Sequence, residues 1–411
     1  ICTLRSYLSI LMNNNLPEVI DLFSGCGGLA LGFQSAGFRI THGIEIDKEA
    51  VETASYNLHW RYGEETGHIC GDITQMDASV FKDNIGKNGC IVIGGPPCQA
   101  YSLVGRAKLR SLGKHRENIN DKRGYLYQDF LRFVFELQAR AVVMENVPEA
   151  TNYGGKNIPQ TVCDILEENG YKAFWTVLNS ADYGVPQIRE RVFVIAVKSG
   201  ENIRVELPDP VNVCPNDLRT QTQMRFKTFA EYNNFRFPNQ GSEELQSWIT
   251  VGDALSDLPE LFPTPQTRYV LNKINMSLPY SSRPENSYQL LMRQWYGTEL
   301  TGVTGNSFRK TLRDFPIFAE MKQGDDYIQA SEIADRLLEH ACKARGITFS
   351  SNSTEYKKLK KAIVPPYNRN NFTSKWQKLS LDKPSHTLVA HLSVDTYSHI
   401  HPVEPRGISV R

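Results

Sequence analysis

Gly94-Gly95-Pro96-Pro97-Cys98-Gln99 follows directly on the apolar run Cys90-Ile91-Val92-Ile93. Two glycines and two prolines hold the backbone in a fixed turn. A cysteine carried there projects from the end of a strand instead of into a core. Free cysteine more commonly behaves as a small buried hydrophobe; the turn chemistry argues for a nucleophile, since a thiolate of lowered pKa is a strong one. The next strand-like run ends in Glu145-Asn146-Val147, and a carboxyl at a neighbouring strand end reaches the same substrate and can exchange a proton with it. Gln187-Ile188-Arg189-Glu190-Arg191 sets Arg189 and Arg191 on alternate positions entering a strand. Alternation predicts both on one face, suited to an anion or a base carbonyl, although an edge strand guarded by charge has the same pattern.

A second group sits upstream. Asp21-Leu22-Phe23-Ser24-Gly25-Cys26-Gly27-Gly28 is a glycine-loaded strand-to-helix turn. Such a turn lets the backbone approach a ligand and presents free N–H groups, and a tight connector uses the same residues. The spacing is not G-x-G-x-x-G, which counts against nicotinamide or flavin. Glu45 closes the second strand at a distance suited to ribose hydroxyls, and Asp72, after the third, could accept from an adenine amine or simply cap a turn. Together the three predict an adenosine-containing cofactor.

The elements that must position these groups alternate. Strands are expected at 18–23, 40–46, 68–70, 90–93, 141–144, 172–178 and 191–197, with helices from 29, 48 and 125. This predicts an α/β fold with a mostly parallel, doubly wound sheet and ligands at the carboxyl ends of its strands. Residues 1–198 are expected to form the catalytic and cofactor-binding domain. Residues 199–375, rich in Pro, Asn, Gln and aromatics with weak periodicity, read as a second, irregular domain, and 376–411 as a return to the first.

The totals are compatible with this. The chain has 411 residues and a net charge of +1, so nucleic-acid binding would need local clusters of Lys and Arg. Eight scattered cysteines without a CxxC pair argue against a zinc site and suit a reducing cytosol. No metal is expected. No signal peptide is recognisable, and the apolar runs are too short to span a bilayer.

In this order the motifs resemble the cytosine-5 DNA methyltransferase family. The matching stretches are Asp21–Gly28, Glu45, Gly71-Asp72-Ile73, Gly95–Gln99, Asp121–Leu126, Glu145-Asn146-Val147, Gln187–Arg191, Lys383–Thr387 and Arg406–Arg411. The resemblance implies a Rossmann-like methyltransferase fold and transfer of a methyl group from S-adenosylmethionine, leaving S-adenosylhomocysteine, to C5 of a cytosine flipped out of double-stranded DNA. Cys98 would attack C6, Glu145 would bind N3 and the exocyclic amine, Arg191 would contact O2 and Arg189 support the pocket. The cofactor would be held by Phe23, Ser24, Gly25, Gly27, Gly28, Glu45, Ile46, Asp72, Ile73, Pro97 and Leu126. Ile46 stands where the family often has an aromatic. Gln99, Ser102, Arg106, Gln187 and Thr387 would meet DNA, the segment after Cys98 closing over it, with 199–375 as the target-recognition domain. The resemblance further implies a cytoplasmic, monomeric bacterial enzyme and a cognate restriction endonuclease as partner. It leaves as alternatives a tRNA cytosine-5 methyltransferase and a silent DNA-binding relative. A Gly-Asn-containing segment that family members carry beside the cofactor is expected beyond Arg411 or on another polypeptide, the alternative being impaired cofactor binding.

Overall fold

The structure is a computed structural model that describes residues 16–97, 125–201, 204–215, 226–241, 244–261, 276–295, 298–369, 375–388 and 397–411. These fall into two compact units. The first lies within Ile1–Asn179, Glu190–Pro210 and Asn216–Gly241, the second within Ser180–Arg189, Val211–Pro215 and Ser242–Arg411.

The first unit is built on a seven-stranded sheet. Its strands are β1 (Glu18–Leu22), β2 (Ile40–Glu45), β3 (Ile69–Cys70), β4 (Cys90–Gly94), β5 (Ala141–Asn146), β6 (Tyr171–Asn179) and β7 (Glu190–Lys198). The order is β3-β2-β1-β4-β5-β7-β6. The first five strands run parallel, and β7 lies antiparallel to both β5 and β6. Helices α1 (Gly28–Ser35), α2 (Lys48–Leu58), α3 (Leu126–Glu136) and α4 (Ile158–Glu168) cover it. Strand alternation explains the two faces. Val19, Ile91 and Ile93 pack with Ala30 of α1 and Ala54 and Leu58 of α2. Ile20, Leu22, Val92 and Val142 point the other way, into Phe130 and Phe133 of α3 and Val162 and Leu166 of α4. Central strands buried on both faces are apolar almost throughout, which is why 90–93 and 18–22 read so clearly in the sequence.

Gly94 closes β4 opposite Leu22. A Cβ at this position would lie 2.1 Å from the Leu22 carbonyl oxygen, a backbone atom that cannot swing away. Gly94→Ala is therefore expected to destabilise the protein by about 3 kcal/mol, the upper end of overpacking costs. Urea unfolding of the two proteins measures it, and an unchanged midpoint would refute the steric argument.

The boundaries differ from the sequence expectation in three places. Residues 204–210 and 226–241, expected in the second domain, belong to the sheet unit. There Phe229 and Phe235 pack on buried Trp175 with ring centroids 5.3 and 4.7 Å away, and Arg236 N–H donates to the Trp175 carbonyl. An aromatic cluster drawn from non-adjacent segments has no local period, so it reads as loop. Residues 376–411, expected to return to the first domain, belong to the second unit among the described residues. Trp376 stacks edge-on against Phe318, and Trp376–Lys378 pairs with Tyr397–Ile400. The doubly wound character expected near 384–392 is, at its described end, one short parallel ladder between Ser385–His386 and Gln187–Ile188.

The second unit is also more regular than expected. It contains a 19-residue helix, α5 (Tyr327–Arg345), capped by Asp326 with Gln329 in a capping box and closed by Gly346 in the left-handed region. A helix α6 (Thr354–Ile363) follows. Around them Phe315, Phe318, Met321, Tyr327, Trp376 and Tyr397 form a separate apolar core. Among the described residues no helix is long and apolar enough to cross a membrane.

Candidate active site

The glycine turn after β1 bends through unusual backbone. Phe23 has φ 57°, and Gly25 and Gly27 have φ 52° and 82°. Glycine occupies that region freely, whereas an aromatic residue rarely does and then at functional sites. Two neighbouring strands hold the turn. Ser24 N–H donates to the Ile44 carbonyl, and Gly25 N–H donates to Glu45 Oε2 at 2.9 Å. The other Glu45 oxygen accepts from the N–H groups of Ile46 and Asp47 at 2.8 and 3.0 Å. Glu45 is thus no idle surface acid, because it ties the turn to the end of β2. Gly71 N–H then donates to the Glu45 carbonyl, bringing Asp72 and Ile73 to the same edge. Asp72 is exposed and caps a short turn, accepting from Thr74 N–H and Oγ1 at 3.0 and 2.8 Å. Ile73 is buried in the sheet core, Leu126 opens α3 half-buried, and Gly28 begins α1 exposed.

These residues fit the adenosine-containing cofactor that the sequence predicts. Ser24 Oγ and Asp21 Oδ2 are buried without a hydrogen-bond partner among the described residues. A Cβ at Gly25 or Gly28 would meet nothing within 4 Å, so the turn opens onto free space. Ile46 leaves 69 % of its surface exposed at the strand end, an apolar face to set against a base.

Asp21, inside the motif but not singled out by its sequence position, lies under this turn with 1 % of its surface exposed. Burial pushes its carboxyl up to about 8, against a hydrogen bond from Ala30 that lowers it, and Glu45 nearby raises it further. The folded protein therefore carries Asp21 protonated while the unfolded chain ionises it near 3.8. Its contribution is fully present below that lower value and is lost as pH rises towards 8. Asp21→Asn is expected to remove this loss. The melting temperature of the variant relative to wild type should rise between about pH 5 and about pH 8. Parallel melting curves across that range would show Asp21 ionised in the fold.

The second group assembles on β4, β5 and β7. Glu145 ends β5 beside Arg191 of β7, with Nε 2.7 Å from Oε1 and 16 % and 28 % of the two side chains exposed. The antiparallel insertion of β7 makes this pair, since it sets Glu145 opposite Phe193. The Arg191 guanidinium also donates to the Glu190 carbonyl at 2.6 Å. A Cβ on Gly95 would lie 3.0 Å from Glu145 Oε2, so the carboxylate rests against the turn that runs into Cys98. Asn146, which sequence reasoning passed over, fastens that turn. Its buried amide donates to the Pro96 carbonyl at 3.2 Å and its oxygen accepts from Val147 N–H at 2.9 Å. Pro97 is half-buried. Cys98, Gln99, Ser102 and Arg106 lie outside the described residues, as does 121–124.

Arg189 does not share a strand with Arg191 as the alternation suggested. The strand breaks at Arg189, which lies between Gln187–Ile188 and β7 and belongs to the second unit. Its carbonyl accepts from Ser180 N–H. The segments that carry Gln187 and Thr387 do meet, although 200 residues separate the two. Thr387 Oγ1 donates to the Ile188 carbonyl at 2.9 Å, and Leu388 N–H to Gln187 Oε1 at 3.3 Å.

The sequence profile of the C-5 cytosine-specific DNA methylases matches residues 18–387. The chain belongs to that family. A protein of Oceanobacillus iheyensis named as a candidate type II methyltransferase is 52 % identical over 409 residues, which cover 98 % of this chain and 88 % of that one. The type II methyltransferase M.AgeI of Thalassovita gelatinovora is 27 % identical across 96 % of this chain and 89 % of its own. A crystal structure of a candidate DNA modification methyltransferase from an E. coli prophage superposes with a TM-score of 0.57 at 20 % identity, covering 95 % of this chain and 85 % of that one. That last likeness concerns the fold. Methylases of this family act on DNA and take their methyl group from S-adenosylmethionine. Among the described residues no cluster of side chains is arranged to hold a metal.

Proposed function

We propose that this methylase modifies C5 of a flipped-out cytosine in a specific duplex sequence, through a covalent bond between Cys98 and C6, as the modification partner of a restriction endonuclease. One observation carries the reading. The Glu145 carboxylate, gripped by Arg191, lies against the Gly95 backbone of the turn that leads into Cys98.

Cytosine C5 is too weak a nucleophile to take a methyl group unaided. Addition of the Cys98 thiolate to C6 moves the ring electrons towards C5 and N3, which makes C5 enamine-like. Glu145 in its protonated form donates to N3, and its other oxygen accepts from the exocyclic amine, so that a proton meets the negative charge developing at N3, while Arg191 orients the carboxyl and reaches O2. Bound S-adenosylmethionine supplies an electrophilic methyl for C5. Phe23, Ser24, Gly25, Gly27, Gly28 and Glu45 would hold it, and Ile46, Asp72, Ile73, Pro97 and Leu126 would line the adenosine. C5 then loses its proton to a base, the electrons return, and the thiolate leaves. Arg189 supports the base pocket. Gln99, Ser102, Arg106, Gln187 and Thr387 contact DNA, and the second unit reads the target sequence.

The test incubates the protein with S-adenosylmethionine labelled in the methyl group and with duplex DNA or tRNA. Label is expected in 5-methylcytosine of the duplex at one sequence. Label confined to tRNA, or bound duplex without methylation, would replace this reading.

A further inference from the structure

With 46 basic and 45 acidic side chains the chain has little net attraction for DNA, so any electrostatic grip must come from charge segregated locally. Helix α6 is such a place. Ser353 caps it through Tyr356 N–H at 3.1 Å. Tyr356 and Leu359 turn inward, 7 % and 6 % exposed, and pack with Leu338 and Cys342 of α5, with Ile363 alongside. The opposite face carries Lys357, Lys358, Lys360 and Lys361, all exposed. At about 100° per residue the four fall within an arc of about 160°. The apolar face is therefore satisfied without the lysines, of which Lys360 and Lys361 lie in the last turn.

The neighbouring cations differ. Arg336 of α5 pairs with Glu320, and Arg369 pairs with Asp335. Those arginines are engaged within the fold. None of the four lysines has a carboxylate within ion-pair distance among the described residues. Four like charges on one short face repel each other, a cost that an external polyanion would relieve. The lysine ammonium is a point charge on a flexible stem, suited to phosphate and not to reading a base edge.

We infer that the lysine face of α6 binds the phosphate backbone of duplex DNA and supplies sequence-independent affinity to this methylase. The inference rests on duplex DNA being the substrate. The test measures fluorescence anisotropy of a labelled duplex against the full chain over a range of NaCl concentrations. The variant K357Q/K358Q/K360Q/K361Q is expected to bind at least about tenfold more weakly at low salt, with the slope of log K against log salt reduced by about 2–4. Target and non-target duplexes should weaken alike. The double variant K358Q/K361Q should lose about half of that slope, and it serves if the quadruple one melts early. A control removing equal charge elsewhere, K48Q/K156Q/K172Q/K322Q, should leave the slope near the wild-type value. An unchanged slope in the α6 variants or an equal loss in the control overturns the inference. A wild type that neither methylates nor binds duplex DNA overturns the functional reading instead. That result is distinguishable because it is read before any lysine is changed.

Discussion

Cys98→Ser is expected to lower methyl transfer to duplex DNA by a factor on the order of 10⁴ or more, the scale on which removal of a covalent nucleophile acts. A hydroxyl at this position is not ionised near neutral pH, so it is a far weaker nucleophile than a thiolate. Loss of activity alone would also follow from a damaged fold, so a second readout is required. Duplex carrying 5-fluorocytosine at the target position cannot release a proton from C5 after methyl transfer. Wild type is therefore expected to form a complex that survives denaturing electrophoresis, and Cys98→Ser is expected to form none while still binding the duplex under native conditions. Appreciable turnover in the variant, or a trapped adduct without the thiol, would rule out Cys98 as the attacking group.

Glu145→Gln should cost about 10²–10⁴-fold in kcat, the range in which a positioned acid or base contributes. The amide keeps the shape of the carboxyl but carries no charge for Arg191, 2.7 Å away in wild type. Arg191→Lys should also be severe, because a single ammonium cannot both grip Glu145 and reach a base oxygen with the geometry of a planar guanidinium. The two residues act as one unit, so their effects should not add. The double variant is expected to fall short of the summed single losses by about 0.5–3 kcal/mol. Single-turnover rates with saturating cofactor and duplex separate this from weakened binding. Full additivity would mean that the ion pair is structural and that each residue meets the substrate independently.

Much of this site is local in origin, and for that reason legible in the chain itself. A Cβ on Gly94 would lie 2.1 Å from the Leu22 carbonyl oxygen, which demands glycine there, and one on Gly95 would crowd the Glu145 carboxylate at 3.0 Å. The prolines stiffen the same few residues, and Glu145 lies at the end of its strand. Each of these requirements acts over a handful of residues, so residue type and spacing reveal it. The parallel strands were readable for a similar reason, because strands buried on both faces must be apolar along their length. The boundary at 198 shifted because aromatic residues recruited to Trp175 from positions 229 and 235 look like any irregular segment until the sheet is there to receive them, and the one at 375 because Trp376 packs on Phe318 of the second unit.

The sequence by itself determined which groups could do chemistry: a thiol on a rigid turn, an acid at the next strand end, a glycine turn and the acids that follow the next two strands. Only the tertiary structure decided their partners. It set β7 antiparallel between β5 and β6, which puts Arg191 on Glu145, left Arg189 in a strand break, joined Thr387 to Ile188, and hid Asp21 where its carboxyl stays protonated. The physical reason is range. Turn chemistry and strand burial are specified by adjacent residues, whereas these pairings join segments up to 200 residues apart and are selected only by the collective packing of the folded chain.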